Sequence, residues 1–276
     1  MSRVALLLAP MDAAILNVSG RPGAAAGPEA LLAELAARRQ LDGVAIHRAQ
    51  PRNTIEHLER DLAELAQLVT ELCTSYDRVL VLGGDNGITY AAALGCGRHR
   101  PLGALAYVDV HWDLRPFQPH TSGSSFRRLV DEHVIDAAHL LPIGIQRPTD
   151  AARLARSHFA DLERYAFEHG VRATYFAEAV KLGLAQVLVE RLLECPAPRY
   201  LSLDLDVIDE SDLPGVSAPG AGRFALADVV ASARAAAPHV VAADLVELSP
   251  PLDPSGRSTR AAADVASALL QTWRAR

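Results

Sequence analysis

Two short stretches concentrate side chains that bind metal ions. Asp109-Val110-His111-Trp112-Asp113 offers two carboxylates around an imidazole, and Asp204-Leu205-Asp206 offers two more carboxylates. On an extended chain alternate side chains share a face, so Asp109, His111 and Asp113 would point one way together, as would Asp204 and Asp206. One aspartate after a strand commonly caps a helix or closes an Asx turn. Four that converge, with no basic residue in either motif, cannot all ionise in a buried place without a cation. Two divalent ions would balance the four negative charges. Carboxylates with a single imidazole suit a hard to borderline ion such as Mn²⁺ better than a thiophilic one.

These motifs need elements to hold them. Near-continuously apolar runs at 4–9, 44–47, 79–82, 103–108, 140–145, 200–205 and 240–245 read as strands covered on both faces, the pattern of a parallel sheet. Helical patterns alternate with them at 28–39, 54–74, 86–94, 150–159, 181–194, 226–236 and 259–273. The alternation predicts a single domain over 1–276, a three-layer α/β/α sandwich with a mostly parallel central sheet. Ligands of open α/β sheets bind beyond the carboxyl ends of the strands. Both aspartate motifs, Gly83-Gly84-Asp85-Asn86 and Glu247 fall directly after predicted strands.

Composition excludes several alternatives. Half the residues are hydrophobic, enough for a sizeable core. The net charge of −6, with basic residues scattered apart from Arg127-Arg128, gives no reason to expect a nucleic-acid partner. Cys73, Cys96 and Cys195 show no C-x-x-C spacing, against a zinc ribbon or disulfide framework and in keeping with a reducing cytoplasm. The apolar start at 4–9 is cut short by Pro10 and Asp12, so it reads as the first strand rather than a signal peptide, and no run is long enough to span a membrane. The glycines from Gly20 to Gly27 lack the G-x-G-x-x-G spacing of a dinucleotide loop. Cys96 and Cys195 are expected as core residues, and Trp112 as packing behind its neighbours.

The ordered motifs resemble those of the ureohydrolases: arginase, agmatinase and formimidoylglutamase. Gly27-Pro28-Glu29 is similar to their early G-P-E, Gly83-Gly84-Asp85-Asn86-Gly87-Ile88 to G-G-D-H-S-I, and the Asp109 motif to D-A-H-x-D. Ser202 to Asp209 resembles S-x-D-x-D-x-x-D, and 214–222 resembles P-G-x-x-x-P-x-G. Asp244 to Pro250, followed by Gly256 to Thr259, resembles D-x-V-E-x-x-P…G-x-T-A. The resemblance spans almost the whole chain. It implies an arginase-like fold and two Mn²⁺ that activate a water against the planar carbon of a guanidine or amidine. Asp109 and Asp204 would bridge the ions, Asp113 and residue 86 would complete one site, and His111 and Asp206 the other. Asp113 would also handle the water's proton, and Glu247 would receive the cationic head of an amino-acid substrate.

Two departures bear on substrate. The residue at 86 is histidine in the family and asparagine here, a weaker ligand. The shuttle histidine that arginases carry after the aspartate motif is replaced by Ser122-Gly123-Ser124-Ser125-Phe126-Arg127, closer to the formimidoylglutamase branch; Arg115 points the same way. His120 is the candidate to take over the shuttle, and Arg115, Ser122 and Arg127 are candidates to hold a substrate carboxylate. The substrate expected is Nω-hydroxy-L-arginine, cleaved to hydroxyurea and L-ornithine as in antibiotic pathways such as that for D-cycloserine. Formimidoylglutamate, arginine and agmatine are the alternatives. From other classes come a zinc deacetylase, a non-catalytic amino-acid-binding relative and a structural subunit. The second Asp-x-Asp pair and Glu247 weigh against the first, and the surviving ligands against the others. Oligomeric state is left open.

Overall fold

The computed structural model describes residues 2–149, 154, 158–219 and 223–275. Its centre is an eight-stranded sheet: β1 (Val4–Ala9), β2 (Val44–Arg48), β3 (Arg78–Gly83), β4 (Ala104–Val108), β5 (Leu140–Ile145), β6 (Thr174–Tyr175), β7 (Arg199–Asp204) and β8 (Ala242–Val246). The order is β2-β1-β3-β8-β7-β4-β5-β6, and every strand pair is parallel.

Alternation along each strand sorts its side chains into two cores. Val4, Leu6 and Leu8 of β1, with Leu80 and Leu82 of β3, pack beneath helices Gly27–Ala37, Leu184–Leu193, Leu226–Ala236 and Arg257–Arg274. Ala5, Leu7 and Ala9, with Val79 and Val81, face helices Leu58–Ser75, Gly87–His99, Ser125–Asp131 and Phe159–Glu168 on the other side. Both faces of the sheet are therefore buried, which is why its strands lack a polar period. The expected α/β/α sandwich is the observed fold, and its sheet is wholly parallel.

Seven of the strands lie where the apolar runs place them. β6 was not expected: two residues, Thr174 and Tyr175, carry too little pattern to register, and they pair only with the edge of β5. The helix expected at 150–159 falls outside the described residues except at Leu154, His158 and Phe159, and the described helix Phe159–Glu168 begins where that expectation ends. Cys96 and Cys195 are buried as expected, and all three cysteines are free thiols. No helix among the described residues is long and apolar enough to cross a membrane.

Candidate active site

The four strands that precede the motifs are contiguous in the sheet, in the order β3-β8-β7-β4. Parallel pairing brings their carboxyl ends level: Leu82 pairs with Leu245, and Asp204 with Val246. Residues remote in sequence are thereby delivered to one edge. The approach requires glycine at 84, where a Cβ would lie 1.7 Å from the Met11 carbonyl oxygen. The Asp85 amide donates to that same carbonyl at 2.8 Å, and Glu247 N donates to Gly84 O at 2.7 Å.

Neither aspartate motif continues as strand, which corrects the expectation from alternation. β4 stops at Val108, and Asp113 adopts a left-handed backbone with φ of 45°. β7 stops at Asp204 and turns through a 3₁₀ segment, Leu205–Val207, whose Asp206 amide donates to Asp204 Oδ1 at 2.8 Å. Turning chain, rather than a shared strand face, sorts the ligands into two groups. Candidate ligand atoms of Asp109, His111 and Asp206 lie within 4.8 Å of one another, as do those of Asp109, Asp113 and Asp204. Asp109 belongs to both. His111 Nδ1 sits 3.0 Å from Asp206 Oδ2 and 3.4 Å from Asp109 Oδ1.

Asn86 closes the second group. Its side-chain Nδ2 donates to Asp113 Oδ2 and, at 3.5 Å, to Asp109 Oδ2, while its backbone amide donates to Glu247 Oε1 at 2.7 Å. Asn86 Oδ1, Asp206 Oδ1 and Glu247 Oε2 are buried oxygens without a hydrogen-bond partner. Buried acceptors left unmade are costly. Burial, then the charges of Asp206 and Asp109, raises the pKa of Asp204 well above the usual carboxylate range. Burial and Asp109 do the same at Asp113, and burial and Asp85 at Glu247. Desolvation opposes a charge on His111, yet Asp206 and Asp109 raise its pKa well above the ordinary imidazole value. Orphaned oxygens and carboxylates that resist ionising together fit a pair of cations, with Asp109, His111, Asp113, Asp204, Asp206 and Asn86 to hold them. Like Asp113, Glu247 occupies the left-handed region, with φ of 70°. Backbone held there at a non-glycine residue is a cost concentrated at functional sites, about 1–3 kcal/mol each.

A cavity of about 240 Å³ opens onto His111, Asp113, Asp204, Asp206 and Glu247, with Arg115 and Ser122 on its wall. Of the other expected residues, Asn86 and Asp109 do not line it but belong to the ligand groups, whereas His120 and Arg127 belong to neither. His120 is 1% exposed; its Nε2 meets the Gly87 carbonyl at 2.9 Å and its ring lies against Tyr90. Burial lowers its pKa to about 4, so it is a neutral ring holding the start of helix Gly87–His99, and the shuttle expectation is withdrawn. Arg127 turns away to Asp131 Oδ2, 3.1 Å from its Nε, and stacks over Tyr165 at 4.1 Å. It does not line the catalytic cavity.

Sequence reasoning missed the opposite wall, made by Ile15, Val18, Gly20, Ser217 and Ala218. Arg21 ties its two segments together: Nε donates to Ser217 O at 3.0 Å, Nη2 to Val216 O at 2.9 Å, and Ser217 Oγ returns a bond to Arg21 O at 2.7 Å. An arginine in a Gly-Arg-Pro-Gly run carries no sequence signal for such a clamp. Residues 220–222 of the expected 214–222 loop lie outside the described residues.

The family model described as "Arginase family" matches residues 2–271. A guanidinopropionase from Pseudomonas aeruginosa is 32% identical over 197 residues, which cover 69% of this chain and 59% of that enzyme. A proclavaminate amidinohydrolase from Streptomyces clavuligerus is 30% identical across 98% of this chain and 88% of its own length. The crystal structure of formimidoylglutamase from Bacillus subtilis superposes with a TM-score of 0.84 at 25% identity, covering 98% of this chain and 86% of that one. The matched length and the convergence of the motifs at one sheet edge give one conclusion: this chain belongs to the arginase family, as a hydrolase of amidino C–N bonds.

Proposed function

We propose that the chain is a two-Mn²⁺ amidinohydrolase of an arginine-like amino acid, with Nω-hydroxy-L-arginine as substrate and hydroxyurea and L-ornithine as products. The observation that carries the reading is Glu247 Oε2, a buried acceptor without a partner, in the same cavity as two ligand groups that share Asp109. When bound, such ions supply a water ionised near neutral pH. Asp113, beside Asp109 and Asp204, would accept the proton given up by the attacking water and pass it to the leaving nitrogen. Asn86 N fixes one oxygen of Glu247, leaving the other to accept from the guanidino N–H groups. Arg115 and Ser122 stand at the wall where a carboxylate would enter.

Substrate choice rests on proton handling. An arginine guanidinium holds its proton far above neutral pH. Hydroxylation lowers that basicity and adds an acceptor near the ions. Among the described residues His111 is the sole imidazole on the cavity wall, and it is committed to the ligand group. A site with an asparagine ligand and no second imidazole favours the more easily deprotonated substrate. Formimidoylglutamate is the second reading, because Arg115 lines the cavity and would meet an additional carboxylate. Specificity constants for hydroxyarginine, arginine and formimidoylglutamate, measured together with Mn²⁺ supplied, test this. Hydroxyarginine should lead. A lead for arginine overturns the proton-handling argument, and turnover of formimidoylglutamate alone favours the second reading.

A further inference from the structure

A larger cavity adjoins the catalytic one. It measures about 590 Å³, against about 240 Å³ at the carboxylates. Small-molecule sites usually span roughly 300–1,000 Å³, so the catalytic cavity alone is tight and its neighbour alone is ample. Val18 and Arg115 line both. The chain divides between them one residue later in the loop: Thr121 faces the larger cavity and Ser122 the smaller.

The larger cavity has the features of a ligand site. Thr121 is 6% exposed, yet its Oγ1 has no hydrogen-bond partner. Its backbone is fully engaged, with N donating to Ser124 Oγ at 2.8 Å and O accepting from the same hydroxyl at 2.9 Å, so the loop is held while the hydroxyl is spare. Leu162 and Val18 supply apolar wall. Arg127, stacked on Tyr165 and neutralised by Asp131, supplies a flat surface with its charge already matched. Arg164 is likewise paired, with Asp161 at 2.8 Å. Arg115, at the neck, makes no side-chain hydrogen bond or ion pair with another described residue in the structure. The cation without a hydrogen-bonded partner is thus at the junction, its charge felt by Asp113, and beyond it the cavity offers apolar contact, a planar platform and one hydroxyl.

We infer that the cavity beyond Arg115 holds a substituent on the substrate's amino-acid end, so that the site accepts amidines carried on a molecule larger than a free amino acid in addition to the free amino acid proposed above. Arg115 takes the carboxylate, and an uncharged acyl or ring substituent lies past it against Leu162 and Tyr165, its carbonyl within reach of Thr121. This rests on the amidinohydrolase reading for what happens at the carboxylates. The test is therefore a binding measurement on product-type ligands, which needs no turnover.

Calorimetric titration of the Mn²⁺-loaded protein with L-ornithine and with Nα-benzoyl-L-ornithine should show the benzoyl compound binding at least about tenfold tighter, the effect of burying a modest apolar area. Leu162→Trp fills the cavity and should erase that gain while leaving L-ornithine affinity unchanged, which also shows the variant folded. Thr121→Val keeps the shape and removes the hydroxyl, and should erase part of the gain by itself. Equal or weaker binding of the benzoyl compound overturns the inference, as does a gain that survives both variants. If the gain appears and vanishes as stated while no amidine is hydrolysed, the cavity assignment stands and the hydrolase reading fails.

Discussion

At the scale of single residues the site turns on the side chain at 86. Asn86 now donates to Asp113 and Asp109, so an ion entering that group must compete with an amide N–H or turn the amide over. Asn86→His keeps the backbone bond to Glu247 and offers an imidazole instead. Metal titration should show the weaker ion bound about tenfold tighter, and the specificity constant for plain arginine should rise. Unchanged metal affinity would mean that residue 86 does not reach the ion. Asp109→Ala removes the carboxylate common to both groups, and activity should fall to background with bound metal reduced in the purified protein. Glu247→Gln should retain the metal and raise KM; loss of metal there would reassign Glu247 as a ligand. The acids and His111 were legible in sequence because their types and their place after apolar strands both matter to the chemistry. His120 and Arg127 were misplaced because a side chain's destination is a tertiary fact. A histidine in a polar loop and a histidine sealed under Tyr90 read identically.

At the scale of elements, the strand ends do the positioning, and the tightest approach is where the chain from β3 passes the Met11 carbonyl. Gly84→Ala puts a methyl group into backbone that cannot yield, so it should cost at least about 4 kcal/mol or prevent folding, measured as the denaturant midpoint. Wild-type stability would show that the loops on both sides shift freely. Strands were readable from continuous apolar runs, but the turns after β4 and β7 were not. Nothing in Asp-x-His-x-Asp announces a left-handed Asp113, which brings its carboxylate beside those of Asp109 and Asp204. The wall held by Arg21 was illegible for a related reason, since its bonds go to backbone carbonyls about 195 residues away.

At the scale of the whole molecule, acid sensitivity follows from the neutral His120. Its folded pKa of about 4 lies below its ordinary value of 6.5, so the unfolded chain takes up the proton first as pH falls. The stability this neutral ring brings is present above pH 6.5, is lost between 6.5 and 4, and changes no further below that. The loss amounts to about 3 kcal/mol at most. His120→Gln should flatten the difference between midpoints at pH 7 and pH 4 relative to wild type; an unchanged acid limb would show that the ring is not sealed as described.

The strand order has a consequence for how the molecule comes into being. β8 lies at the middle of the sheet, between β3 and β7, yet among the described strands it is the last to leave the ribosome. Until residues 242–246 arrive, the early half of the sheet and the late half share no hydrogen-bonded edge, and each exposes an unpaired strand. Glu247 follows within one residue of β8, so the sheet is joined and the proposed partner of the substrate's cationic head is installed in the same event. Chains arrested before Ala242 should retain no Mn²⁺ and should be captured by chaperones as two unjoined halves, whereas chains arrested well past Arg274 should hold the ions. Metal retention on stalled ribosome complexes would time the birth of the site.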